Sequence, residues 1–115
     1  GEEFRVPLTA EAVNLIEQMP KLDNWVFAGG QLGKPLSDGA MLSLLKRMNS
    51  TNITVQGFRS TFRDWAGEET NYPTHLAELA LAHKVGSEVE RAYARSDLLD
   101  KRRALMADWS AFVTN

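Results

Sequence analysis

Apolar positions recur every three to four residues over most of the chain, a spacing that predicts helices. In "TAEAVNLIEQM" (9–19), Ala12, Ile16 and Met19 share a face, and Glu11 suits a first turn. Ser37 reads as an N-cap with Asp38 in the first turn. Met41, Leu44, Leu45 and Met48 follow on one face, and Lys46 and Arg47 end that helix. Thr54 is placed to cap "VQGFRSTFRDWAGEE" (55–69), whose apolar stripe is Phe58, Phe62, Trp65 and Ala66. Pro73 opens a helix to about residue 82, with Leu76, Leu79 and Ala80 inward. Ser87-Glu88-Val89-Glu90 has capping-box spacing and starts a short helix carrying Val89 and Tyr93. Ser96 or Asp97 caps a last helix with Leu98, Leu105, Met106, Trp109, Phe112 and Val113 as its stripe. Strand signals are weak. "FRVPL" (4–8) is a short extended piece ended by Pro7, and "WVF" (25–27) is a buried strand or extended run. Three glycines and a proline make 28–35 a loop. The pattern therefore predicts a mainly α fold, with about six helices and one or two short strands.

Composition narrows the chemistry. The 115 residues suit one domain with its own core. With no cysteine, the chain has no disulfide, no thiolate zinc site and no cysteine nucleophile. Two histidines without suitably spaced partners give no metal site, and no apolar run approaches a membrane span. The formal net charge of −2 argues against a strongly basic nucleic-acid binder, but the charge is uneven. Residues 1–45 carry three basic and six acidic side chains, whereas residues 46–115 carry ten and nine. Within 91–103, Arg91, Arg95, Lys101, Arg102 and Arg103 stand against Asp97 and Asp100, a local net of +3 that can face phosphate.

Candidate chemistry sits in the second half. Gln56 and Arg59 share a face at a helix start, where backbone N–H groups lack intrahelical partners and an arginine fork can grip two phosphate oxygens. A salt bridge to a carboxylate is the plainer role for Arg59. For Arg63, one turn on, it is a solvated or paired arginine. His83 ends an apolar helix, where it either suits the helix C-terminus or serves as a phosphate donor or proton-transfer group. His75, in a first turn beside Thr74, reads as exposed. Tyr93 either packs with Val89 or acts as a nucleophile, which a phenol does only with cations or a base nearby. Arg91 and Arg95 lie two residues to either side of it, off its face, as solvated cations or backbone-phosphate contacts.

The ordered set is more specific than its members. "VQGFRSTFRDWAG", "LAHKVG" and "AYARSDLL" together resemble the C-terminal half of the catalytic domain of phage-type tyrosine recombinases, the prophage and genomic-island integrases in particular. The resemblance runs over residues 1–115, with "FRVPL" similar to the strand leaving the catalytic hairpin and "KRRALMADWSAFV" to the end helix. It implies that Arg59 binds the scissile phosphate and that His83 hydrogen-bonds a non-bridging oxygen. Tyr93 becomes the nucleophile that forms a 3′-phosphotyrosyl link. Arg63, Lys84, Arg91 and Arg95 become candidate DNA contacts. Where the family has the histidine of His-x-x-Arg, this chain has Gln56, which can donate a hydrogen bond but carries no proton at neutral pH.

The resemblance further implies a piece of a longer integrase. The first catalytic arginine, the hairpin lysine and the core-binding and arm-binding domains would lie outside it, and the piece alone would be inactive or nearly so. No cofactor is implied. Expected partners are double-stranded DNA at attachment sites, further copies in a recombining tetramer and accessory DNA-bending proteins, with no membrane, in the cytoplasm of a bacterial host. A non-catalytic DNA-binding or helical interaction domain from a degenerate recombinase is the alternative. The end helix is expected either to tuck into its own core or to make a weak dimer, with the first favoured.

Overall fold

The computed structural model describes residues 3–83 and 97–115. It is mainly helical: α1 (Ala10–Glu17), α2 (Ala40–Arg47), α3 (Gly57–Glu69), α4 (Thr74–Ala80) and α5 (Leu99–Thr114). The short helix expected from Ser87 lies outside the described residues, together with Lys84, Arg91, Tyr93 and Arg95.

The core is built where α3, α4 and α5 meet. Phe62, Trp65 and Ala66 of α3, Leu76 and Ala77 of α4, and Leu105 of α5 are buried in one cluster, flanked by Tyr72, Met106 and Trp109. The α3 stripe thus behaves as its spacing predicts, except that Phe58 is exposed. On α4, Leu76 is buried as expected with Ala77, while Leu79 and Ala80 are only half-buried. Trp109 meets Phe62 edge-on at 5.3 Å and Trp65 at 5.1 Å, both within the range where aromatic pairs attract. The end helix therefore packs in cis. Phe112 and Val113 are left exposed, because the face that turns inward runs through Arg102, Leu105 and Trp109.

Arg102 alters the picture of the basic stripe. It is 1 % exposed, so it faces the interior. Its Nε donates to the Asp97 carbonyl and its Nη1 to the Arg5 carbonyl, both at 2.8 Å. The Phe4 ring covers its guanidinium at 5.3 Å. Arg5 in turn grips the Asp97 carboxylate with two 2.8 Å bonds. The "FRVPL" segment is thus an extended strap tied to the start of α5, with no strand partner among the described residues.

The first half is thinly packed. In α1, capped by Thr9 through its bond from the Ala12 N–H, the stripe residues Ala12 and Ile16 are half-buried, as is Met19 just beyond the helix end. In α2 only Leu45 is buried; Met41, Leu44 and Met48 are exposed. Ser37 does not cap α2. Its carbonyl takes the Ala40 N–H in a preceding turn, and the helix begins at Ala40 without a side-chain cap. The expected "WVF" strand reduces to a single antiparallel bridge, Ala28 to Pro35, among the described residues. Its two bonds run from the Gly29 N–H to Lys34 O at 2.8 Å and from the Leu36 N–H to Phe27 O at 3.3 Å, so Pro35, which has no N–H, occupies the non-bonded position of the pair. A Cβ on Gly29 would come within 2.2 Å of the Pro35 carbonyl oxygen, so glycine is required at the closure.

Two helices end in the same way. The N–H of Ser50 returns to Leu45 O and that of Asn49 to Lys46 O; the N–H of His83 returns to Glu78 O and that of Ala82 to Leu79 O. Both are Schellman ends, with Asn49 (φ 59°) and Ala82 (φ 61°) in the left-handed region. Alanine carries a steric penalty there that glycine does not. Ala82→Gly is expected to stabilise the chain by about 0.5–1 kcal/mol. Urea denaturation measures this, and a lowered midpoint with unchanged slope would show that the turn is not strained.

Candidate functional site

Arg59 lies in the first turn of α3, and His83 follows the α4 Schellman turn. The reversal at Ala82 carries His83 back over α4, toward α3. Arg59 Nη2 reaches the Leu81 carbonyl at 2.6 Å and His83 Nε2 at 2.8 Å. The two residues singled out from the sequence, 24 positions apart, are therefore in contact. Gln56 is exposed at the α3 N-cap, one turn before Arg59, and its side chain makes no capping bond. Tyr93 and the candidate DNA contacts Lys84, Arg91 and Arg95 fall outside the described residues.

The expected backbone anion site at the start of α3 is not free. The N–H groups of Gly57, Phe58 and Arg59 bond to the carbonyls of Thr54, Val55 and Gln56, and the Thr54 hydroxyl also takes the Gly57 N–H at 2.9 Å. A tightened first turn uses these donors, so anion binding here falls to side chains.

Arg63 is a paired arginine. Its Nε donates to Glu78 Oε1 at 2.6 Å. The other oxygen, Oε2, lies 2.6 Å from His83 Nδ1. Glu78 was not found by sequence reasoning, although one acidic residue inside the apolar run "LAELALAH" is a signal in itself. Its distance of five from His83 matches no helical pairing, and only the left-handed turn brings the two together. The site is thus a chain Arg63–Glu78–His83–Arg59. With neutral histidine it carries one net positive charge. His75 is half-buried in α4 rather than exposed.

The Arg63 bond, and after it the His83 bond, hold the Glu78 carboxyl below its ordinary range. Asp97 is lowered likewise, first by its hydrogen bonds from Arg5. Groups with depressed folded-state values stabilise the fold fully above the unfolded value, about 4, and lose that contribution as pH falls through the folded value. The thermal midpoint is therefore expected to drop on acidification below about pH 4. Asp97→Asn should flatten that slope, and an unchanged slope would remove the Arg5–Asp97 pair as its source.

Among the described residues no cluster of His, Asp and Glu could hold a metal ion, and no helix is long and apolar enough to cross a membrane.

Known proteins similar to the chain are integrases. Prophage integrase IntZ of Escherichia coli K12 is 34 % identical over 109 residues, covering 91 % of this chain and 27 % of its own length. Prophage integrase IntA of the same organism is 31 % identical over 98 % of this chain and 28 % of its own length. The integrase of Shigella phage Sf6 is 29 % identical over 94 % of this chain and 29 % of its own length. The chain thus spans under a third of the relatives it matches, and over nearly all its own length it is homologous to phage-type integrases. No family model matches it, and no solved structure matches it significantly.

Proposed function

We propose that this chain, as a homologue of phage integrases, supplies part of the centre that cuts and rejoins DNA during site-specific integration. The observation that carries the proposal is the Arg59–His83 contact at 2.8 Å, a guanidinium from α3 and an imidazole from the turn after α4 brought to one place. Arg59 is charged at all relevant pH and presents a planar fork, the group suited to a phosphodiester. In the proposed reaction the Tyr93 oxygen attacks phosphorus and the bond to the 5′ oxygen breaks. The bond energy is kept in a 3′-phosphotyrosyl ester, and a 5′-hydroxyl leaves. Charge grows on the non-bridging oxygens in the transition state, where Arg59 is a fixed donor and His83 becomes one once its Nε2 has taken up a proton. Gln56 has no titrating proton. The Tyr93 phenol gives up one proton and the 5′ oxygen takes one up, so the step balances, and neither transfer runs through Gln56.

The partners proposed are double-stranded DNA at attachment sites and further copies of the intact integrase. The test is covalent trapping. The intact integrase is incubated with a nicked attachment-site duplex and denatured, and any DNA-linked peptide is mapped by mass spectrometry. A link at Tyr93 supports the proposal. A link at another residue, or DNA binding with no link, favours the non-catalytic DNA-binding domain to which Gln56 also points.

A further inference from the structure

We infer that Glu78 is a positioning residue that fixes the tautomer of His83, leaving Nε2 as the nitrogen presented to Arg59 and to any oxyanion bound there. This deepens the proposal of a phosphate-binding centre and rests on that proposal only for its purpose. Guanidinium nitrogens donate and never accept, so the 2.8 Å approach of Arg59 Nη2 makes His83 Nε2 an acceptor. Nε2 then carries no proton, and the ring proton sits on Nδ1, where Glu78 Oε2 accepts it at 2.6 Å. An imidazolium would set an N–H donor against the Arg59 donor. The array as it stands therefore contains neutral His83 in the Nδ1–H form.

Glu78 is itself held. Its second oxygen is taken by Arg63 at 2.6 Å, and its side chain is 30 % exposed, so the carboxylate has little freedom to turn away. Among the described residues the groups facing the imidazole are Glu78 from α4 and Arg59 from α3, with Arg63 behind the carboxylate. When an oxyanion displaces the Arg59 contact, Nε2 can donate to it only after taking up a proton. Glu78, already bonded to the opposite nitrogen, keeps the ring oriented through that change. Arg63, which the sequence offers as a DNA contact, also anchors the residue that orients His83.

The test needs neither DNA nor activity, so its failure is separable from failure of the recombinase proposal. Long-range proton–nitrogen NMR of the His83 ring in the 115-residue chain, at a pH where the ring is neutral, reads the tautomer directly. The expected result is the Nδ1–H form in at least about tenfold excess, the ratio that one charge-assisted hydrogen bond sustains. Glu78→Ala should remove that excess, while the backbone amide spectrum of the α3–α5 core stays in place. Predominance of the Nε2–H form in the unaltered chain would overturn the inference, as would an unchanged tautomer ratio in folded Glu78→Ala. If Glu78→Ala does not fold, the unaltered chain's spectrum decides alone.

Discussion

Arg59→Ala in the intact integrase is expected to slow strand cleavage by about two to three orders of magnitude, the usual cost of deleting one fixed donor to a developing oxyanion. Ground-state DNA binding should weaken far less, because one phosphate contact among many contributes a small share of affinity. The reason lies in how Arg59 is held. Its guanidinium is held by the Leu81 carbonyl at 2.6 Å, a contact that an oxyanion at the His83 side need not disturb, so the fork is oriented before substrate arrives. Arg59→Lys should recover little, since an ammonium cannot span the carbonyl, the imidazole and a phosphate oxygen as a planar fork does. Tyr93→Phe sets the floor, with no covalent adduct at any time. Single-turnover cleavage of a nicked attachment-site duplex, with filter binding in parallel, checks both. An Arg59→Ala protein that binds DNA and cleaves within about tenfold of normal would remove Arg59 from the reaction, since oxyanion donors are worth more than that.

Leu105→Ala is expected to cost about 2–5 kcal/mol, enough to unfold much of a chain whose total stability is of the order of 5–15 kcal/mol. Leu105 is fully enclosed at 0 % exposure, at the junction where α5 meets α3 and α4. Truncation there removes apolar contacts from all sides and leaves a cavity that three helices cannot collapse without breaking the Trp109 contacts to Phe62 and Trp65. Phe112, one turn beyond Trp109, is the control. It is 54 % exposed, and its ring centre lies 5.8 Å from those of Trp109 and Trp65. Its removal should cost about 1 kcal/mol. Urea denaturation separates the two. A Leu105→Ala chain within about 1 kcal/mol of the parent would mean that α5 is not part of the stable core in solution.

Much of this protein was legible in residue order alone. Helical periodicity gave α1, α3 and α4 nearly to their ends, and at α3 and α4 Thr54 and Pro73 act locally and do not depend on what the helix later packs against. The stripe Phe62, Trp65 and Ala66 was legible for the same reason: three large or close-packing residues on one face must be buried together. The pairing of Arg59 with His83 was legible only through motif resemblance, since their separation of 24 residues has no periodic meaning.

Tertiary structure decided the rest. Whether a charged side chain faces water or the interior depends on what lies across from it. Arg102 looked like one more cation in a basic run, yet it is enclosed because carbonyls of Arg5 and Asp97 stand opposite its guanidinium. Met41 and Met48 looked like core and are exposed, because no described element covers that face of α2. Glu78 became the link between Arg63 and His83 only because a left-handed alanine turned the chain back. Local sequence sets which elements form. Contacts across the fold set the neighbours of each charge, and those neighbours determine the chemistry the charge can do.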